Sequence, residues 1–416
     1  MSSRGAHLVH GDKRFTTGGG VIPRLIAPAI SGVLDRIDRR LERGGIDVTL
    51  PGGTRRRLGF RAPGPTAVVQ LKSWMSLVRL AVSGSVGWYK AWELGEWVSP
   101  DPVPLFELFS GNAVSLGETG RAKGPARWVN ALAHRLRDNA PGQAKANIAA
   151  HYDLGNDFYS AWLDGTMTYS SARFASAKDT LEEAQFRKVH LLLDRLDVGP
   201  GKRLLEIGSG WGTLAIEAAK RGADVVGLTL SEEQKAWADQ RIREAGVADR
   251  TEIRLQDYRD VAEQFDAVAS VEMVEAVGQR WWGAYLGSIA RNLKPGGHAA
   301  LQFISMDHRL FGSYSRNADF IQTYIFPGGQ LIDEPVFASL AKERGLSWEN
   351  RDGFARDYAE TLKRWRERYD DAIAAGALNG FDERFHRLWR YYLMYCEGGF
   401  RGGAIDVAQV TLVKLG

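Results

Sequence analysis

Lys202–Gly222 reads KRLLEIGSGWGTLAIEAAKRG. A short apolar run, a cluster of three alternate glycines and an Ala-rich amphipathic run follow one another without a break. The pattern predicts strand, tight loop and helix, with the loop at the carboxyl end of the strand. Glycines there let backbone approach a ligand closely. A bare G-x-G-x-G is a weak signal on its own, compatible with a ligandless strand–helix turn. No G-K-S/T follows, which argues against a P-loop, and the acid Glu206 precedes the first glycine instead of following it by some twenty residues. An acid at that point can reach a cationic amino group or a sugar hydroxyl.

Working outward, the same alternation continues. LEEAQFRKVHLLLDRLDV predicts a helix, ADVVGLTLSEEQKAWADQRIREAG a second strand, loop and helix, and TEIRLQDYRD a third strand and exit loop. FDAVASVEMVEAVG and GGHAALQFISM predict a fourth and a fifth strand. Alternating strands and helices specify a doubly wound α/β domain, whose ligand site lies at the carboxyl ends of its strands.

The N-terminal part differs. Residues 1–150 hold 21 Lys+Arg against 11 Asp+Glu, an excess of ten, while the remainder carries a deficit of six within a net charge of +4. A basic half joined to an acidic half suggests an anionic partner. Ile26, Ile30, Val33, Ile37 and Leu41 form one helical stripe, with Arg36, Arg39, Arg40 and Arg43 at its C-terminal end. Such a helix lies on an anionic bilayer or packs on its own domain. Residues 46–70 predict short strands around a Gly-Gly turn. Residues 117–148 suggest a linker and an amphipathic stretch. The single Cys396 excludes an internal disulfide framework and fits a reducing cytoplasm. The first residues show no signal peptide, and no run reaches the about 18 apolar residues that a spanning helix needs. The eight histidines show no metal-ligand spacing, so no metal is expected.

From His151 to the C-terminus the chain resembles the cyclopropane-fatty-acyl-phospholipid synthase family, which includes the mycolic acid cyclopropane synthases. The resemblance rests on HYDLGNDFY, LDGTMTYSS, LLEIGSGWGTL, VVGLTLSEEQ, LQDYRD, VEMVEAVG, YIFPGGQL, DYAETLKRW and YYLMYCEGGFRGGAIDVAQV, in order and spacing. It implies a Rossmann-like class I methyltransferase domain over 151–416. A smaller N-terminal α+β lipid-handling domain covers 1–130, and a linker covers 131–150. It also implies S-adenosylmethionine as methyl donor. Tyr169 and Ser170 match cofactor contacts, and the HYDLGNDFY region matches a cap over the pocket. Glu206, Gly208, Gly210 and Gly212 match the loop. Thr229, Leu230, Ser231 and Gln234 match the ribose side, and Gln256, Asp257 and Tyr258 the adenine side. Asp257 also reads as a helix N-cap.

The resemblance further implies a bicarbonate base in a cradle to which Glu275 and Tyr358 correspond. Ser171 stands where the family has cysteine and Gln302 where it has histidine. Cys396 matches a position once favoured as a nucleophile, and reads equally as a small buried hydrophobe. The implied reaction adds a methylene or methyl carbon to the double bond of an unsaturated phospholipid acyl chain, giving a cyclopropane. The alternatives are a methylene- or methyl-branched chain and, in another class, a non-catalytic lipid-binding protein. The expected setting is cytoplasmic, peripheral to the inner face of the cell membrane and in contact with its anionic surface. No nucleic acid partner is expected, and a homodimer is left open.

Overall fold

The computed structural model describes residues 4–10, 27–117 and 154–416. The expected linker 131–150, the first three residues of the HYDLGNDFY motif and the Ile26 end of the apolar stripe lie outside the described residues. The chain forms two compact units. The first comprises 1–137, 307–327 and 379–405, and the second 138–306, 328–378 and 406–416.

In the first unit, β1 (Gly45–Thr49), β2 (Arg55–Gly59), β3 (Thr66–Leu71) and β4 (Trp97–Val98) form a sheet in the order β2-β1-β3-β4. The β1–β2 hairpin turns through Gly52 and Gly53, both at positive φ, as the Gly-Gly pair predicts. The helix Ala27–Arg40 packs on β2, and its Leu34 and Ile37 are buried along with the following Leu41. The C-terminal part of the apolar stripe, Ile37 and Leu41, is therefore spent inside its own unit. What it leaves at the surface is charge, with Arg36, Arg39 and Arg40 exposed.

The unit also draws on the C-terminal third of the chain. The helix Glu383–Gly402 crosses Val103–Gly111 so closely that a Cβ on Gly398 would lie 2.4 Å from Phe106 Cβ, and one on Gly402 2.4 Å from Ser110 Cβ. The glycines of YYLMYCEGGFRGG are thus a packing device. Around them Tyr89, Phe106, Phe320, Tyr324 and Tyr391 form a mesh of tilted and edge-on rings. Cys396 sits in that helix, partly buried, with its thiol pushed well above its ordinary value by burial. A thiol held protonated is a poor nucleophile, which favours the packing reading of this residue.

In the second unit, β5 (Arg203–Ile207), β6 (Asp224–Thr229), β7 (Thr251–Leu255), β8 (Phe265–Val271), β9 (Leu293–Met306), β10 (Leu346–Gly353) and β11 (Ile405–Lys414) form one sheet. Its order is β10-β11-β9-β8-β5-β6-β7. The pairs among β5 to β9 are parallel, and β10 pairs with β11 antiparallel. The five expected strands are all present, and β10 and β11 extend the sheet beyond them. The chain leaves β5 towards β6 on one side and returns as β8 on the other. The carboxyl end of β5 is therefore the topological switch point, where such sheets bind ligands. The helix Thr213–Lys220 packs beneath β5 and β6 through Leu214, Ala215, Ala218 and Ala219.

Candidate active site

At the switch point the glycine loop leaves β5. Gly208 and Ser209 donate their N–H groups to Leu228 O at 3.0 and 2.8 Å, pinning the loop against β6. Gly210 has φ +51°, and a Cβ there would meet nothing within 4 Å, so the backbone borders open space. That space is a cavity lined by Gly208, Gly210, Thr229, Leu230, Gln234, Gln256, Asp257 and Tyr258, with Arg259, Val271, Glu272 and Met273 among its other walls. Eight of the thirteen expected cofactor residues therefore share one cavity.

The other five, Tyr169, Ser170, Glu206, Gly212 and Ser231, do not line it. Gly212 starts the helix at φ +88°, where a Cβ would lie 3.0 Å from Ala238 Cβ. Ser231 caps the helix Glu232–Glu244 by accepting the N–H of Gln234. Thr229 Oγ1 donates to Gln234 Oε1 at 2.9 Å, so the TLSEEQ stretch is held by its own members. Asp257 satisfies both of its readings. It caps the short turn Tyr258–Asp260 through the N–H of Arg259, and it lines the cavity. Burial raises its carboxyl, but hydrogen bonds from Arg259 outweigh this and hold it below its ordinary value. Burial also pushes the Tyr258 hydroxyl up to about 12, so the ring faces the cavity neutral.

Glu206 is not among the lining residues. Its carboxyl is 3% exposed, and Oε2 has no hydrogen-bond partner among the described residues. Burial raises it to about 8, against the charge of Lys188 and a bond from the Ala215 N–H. Tyr169 and Ser170 are likewise not among the lining residues. Tyr169 packs its ring among Tyr159, Trp162 and Trp365. Phe158, Tyr159 and Trp162, from the stretch expected to cap the pocket, are fully buried in the same mesh, and Tyr159 also packs on Trp211 of the loop. Ser170 Oγ accepts from the buried Lys188 Nζ at 2.7 Å, and Ser170 O from Gln185 Nε2 at 2.8 Å. Both partners project from the helix Leu181–Asp194, whose start is fixed by a Thr180–Glu183 capping box.

A second cluster abuts the cavity at Glu272, the residue after β8. Three groups converge on its carboxylate. Ser171 N–H donates to Oε1 at 2.9 Å, Gln302 Nε2 to Oε1 at 2.8 Å, and Tyr358 Oη–H to Oε2 at 2.6 Å. Gln302, on β9, is oriented in turn by Gln409 Nε2, which donates to its Oε1 at 3.1 Å. Ser171 contributes its backbone, while its hydroxyl donates to Ala172 O. Of the expected cradle residues Ser171, Gln302, Tyr358 and Glu275, the first three converge on a carboxylate of the chain itself, and Glu275 does not. Glu275 lies one turn further on. Its Oε1 accepts the Ile304 N–H, and Oε2 is buried with no partner among the described residues. Burial, then the nearby charge of Glu272, pushes Glu275 up to about 8. Burial also raises Glu272, opposed by its three donors and by Lys188. Two neighbouring carboxyls cannot both carry charge cheaply. Glu272, with three donors, is the better placed of the two to carry it, and Glu275, pushed to about 8 with one donor, to stay neutral.

Sequence reasoning missed Glu272, Lys188 and Arg259. The signal for Glu272 was present: VEMVE places two glutamates three apart at the exit of a strand that ends at the switch point.

A parallel sheet reversing at a glycine-rich loop, with polar groups after the second and third strands in one cavity, defines a class I S-adenosylmethionine-dependent methyltransferase. The residues fit that cofactor: Gly210 offers bare backbone, Tyr258 a ring face, and Gln234, Gln256 and Asp257 hydrogen-bonding groups. The family model for mycolic acid cyclopropane synthetase matches residues 140–410, and the chain belongs to this family. It is 40% identical over 350 residues to the tuberculostearic acid methyltransferase of Mycobacterium tuberculosis, covering 81% of each chain. It is also 40% identical over 301 residues to the cyclopropane-fatty-acyl-phospholipid synthase of Escherichia coli K12, covering 68% of this chain and 75% of that one. A mycolic acid cyclopropane synthase solved with SAH and CTAB matches 65% of this chain and 98% of its own, at 32% identity and a TM-score of 0.61.

Proposed function

We propose that the protein transfers a one-carbon unit from S-adenosylmethionine to the double bond of an unsaturated phospholipid acyl chain, closing a cyclopropane ring. The observation that carries this reading is the acid cluster that opens onto the cofactor cavity through Glu272. The cofactor supplies an electrophilic methyl group. An isolated alkene is a weak nucleophile, and its attack leaves a cation in mid-chain. Water would trap that cation as an alcohol, so the reacting centre must be dry. Ser171 and Gln302 meet that need, both fully buried, while Glu272 is half-buried at the cavity wall. A carboxylate beside the cation stabilises it, and a base must then take one proton from the new carbon. Gly208, Gly210, Thr229, Gln234, Gln256, Asp257 and Tyr258 hold the cofactor in this reading, and Glu275 and Tyr358 belong to the proton-handling group.

A phospholipid substrate is supported by the basic excess of residues 1–150 and by a first unit that begins well before the family match at residue 140. A second reading ends in a methylene-branched chain, by a hydride shift before proton loss. It is favoured by Ser171 and Gln302 at the cradle, and by the longer match to the tuberculostearic acid enzyme. The test is incubation with labelled S-adenosylmethionine and vesicles of unsaturated phosphatidylglycerol, with the free fatty acid as control. Label is expected in the phospholipid acyl chains, in ring or vinylidene carbons distinguishable by NMR; label in the free acid alone would refute the substrate. Binding to those vesicles is expected to weaken with salt, since exposed charges are screened beyond about 8–10 Å at physiological ionic strength.

A further inference from the structure

We propose that Glu272 is the proton acceptor of the reaction, a base built into the chain where a bicarbonate would otherwise be bound. The inference rests on the methyl-transfer reading above and names the group that completes it. Four observations converge. Glu272 lines the cofactor cavity, which Glu275 does not. Its two oxygens take up the Ser171 N–H, the Gln302 amide and the Tyr358 hydroxyl, so the donors that would hold a small anion are already occupied. Its backbone N–H donates to Gln302 O at 2.7 Å, fixing main chain and side chain to the same strand. Finally, its φ is +47°, in the left-handed region that favours glycine. A non-glycine residue there costs of order 1 kcal/mol or more and persists where the surroundings enforce it, commonly at functional sites.

The step balances within the groups named. The alkene π pair forms a C–C bond to the methyl carbon as the S–C bond breaks, leaving S-adenosylhomocysteine and a cation on the acyl chain. The Glu272 carboxylate then takes a proton from the new methyl. The C–H pair closes the third ring bond or, after a hydride shift, becomes a C=C bond. Glu272 ends as the neutral acid and returns its proton to solvent. Lys188, Glu275 and Tyr358 are the titratable groups that face it. Lys188, pushed down to about 8 by burial, supplies a positive charge that favours the carboxylate form of Glu272 against the burial that raises it.

Glu272→Gln keeps the shape and removes the base. Turnover is expected to fall about 10²–10⁴-fold, with S-adenosylmethionine affinity by calorimetry within a few-fold of wild type. Glu272→Gly suits the backbone at φ +47° and empties the cradle. It is expected to bind ¹³C-bicarbonate by NMR and to recover turnover when bicarbonate is added. Wild type is expected to do neither, and to run at full rate in buffer freed of carbon dioxide. A wild type that binds ¹³C-bicarbonate in the cradle or needs it for turnover, or a Glu272→Gln that keeps its rate, overturns the proposal. The binding comparison reads the cradle without turnover, so its outcome is separable from that of the methyl-transfer reading, which fails if wild type labels no lipid.

Discussion

The glycine loop and the Glu272 cluster lie at adjoining carboxyl strand ends of one sheet, yet they are built in opposite ways. The loop is nearly all backbone and comes from one contiguous stretch. Its conformation is set by glycines at positive φ and by two hydrogen bonds to Leu228. The cluster is nearly all side chain, from segments at 171, 272, 302 and 358, joined only by the fold. Backbone suits a ligand shared by many enzymes. Side chains in a low-dielectric pocket set charge and protonation, and so set the reaction. Substitutions in the cluster should therefore cost turnover, and substitutions in the loop should cost binding.

The largest effect that sharpens this contrast outside Glu272 is expected at Glu275. Glu275→Gln should lower turnover by about 10²–10⁴-fold at unchanged cofactor affinity, because it alters the acid that shares a proton environment with Glu272. If Glu275 only fastens the turn to Ile304, the rate per folded molecule will stay near wild type. Tyr358→Phe removes one charge-assisted hydrogen bond, worth about 1.5–3 kcal/mol. It should cost roughly 10- to 100-fold in turnover while calorimetric affinity is spared. Gly210→Val should do the reverse, with cofactor affinity down at least about tenfold, since it places a branched side chain in the left-handed region and into the cavity.

A smaller effect follows from the raised carboxyls. Glu275 titrates near 8 in the fold against about 4.5 unfolded. The folded state therefore holds the extra proton between those values. Its stabilising contribution is complete below about 4.5 and is lost as pH rises through 8. The melting temperature of wild type should fall more steeply from pH 5 to pH 8 than that of Glu275→Gln; parallel slopes would show that Glu275 does not titrate there. The smallest effect is expected at Glu206. Being neutral at pH 7 and turned inward, it should tolerate Gln with cofactor affinity within a few-fold, and a large loss would return it to the cofactor's contacts.

Legibility in the sequence followed the same division. β5, β6, β8 and the apolar half of β9 were readable as apolar runs next to glycine or polar turns, and β7, TEIRL, by its alternation of polar and apolar residues; a local pattern carries that information. β10 was not, because LSWENRDG is mostly polar and is a strand only through its pairing with β11. The first unit's claim on 307–327 and 379–405 was hidden for the same reason. The glycines of its C-terminal helix read as motif until the approach of Phe106 and Ser110 showed what they admit. The loop's cavity residues were readable as a group, while the packing of Glu206, Ser231 and Gly212, which belong to the same motifs, was not. Glu272 escaped because resemblance assigns roles only where residues match, and its donors come together only in three dimensions.

The central claim is methyl transfer to an acyl double bond, followed by proton loss from the transferred carbon inside the Glu272 cluster. It is tested most directly by supplying S-adenosylmethionine with a fully deuterated methyl group and weighing the phospholipid acyl chains. The account predicts a new one-carbon unit that retains two of the three deuterons, in ring or methylene product alike, and no such product from Glu272→Gln. Chains that keep all three deuterons would place the proton loss elsewhere on the substrate and contradict it.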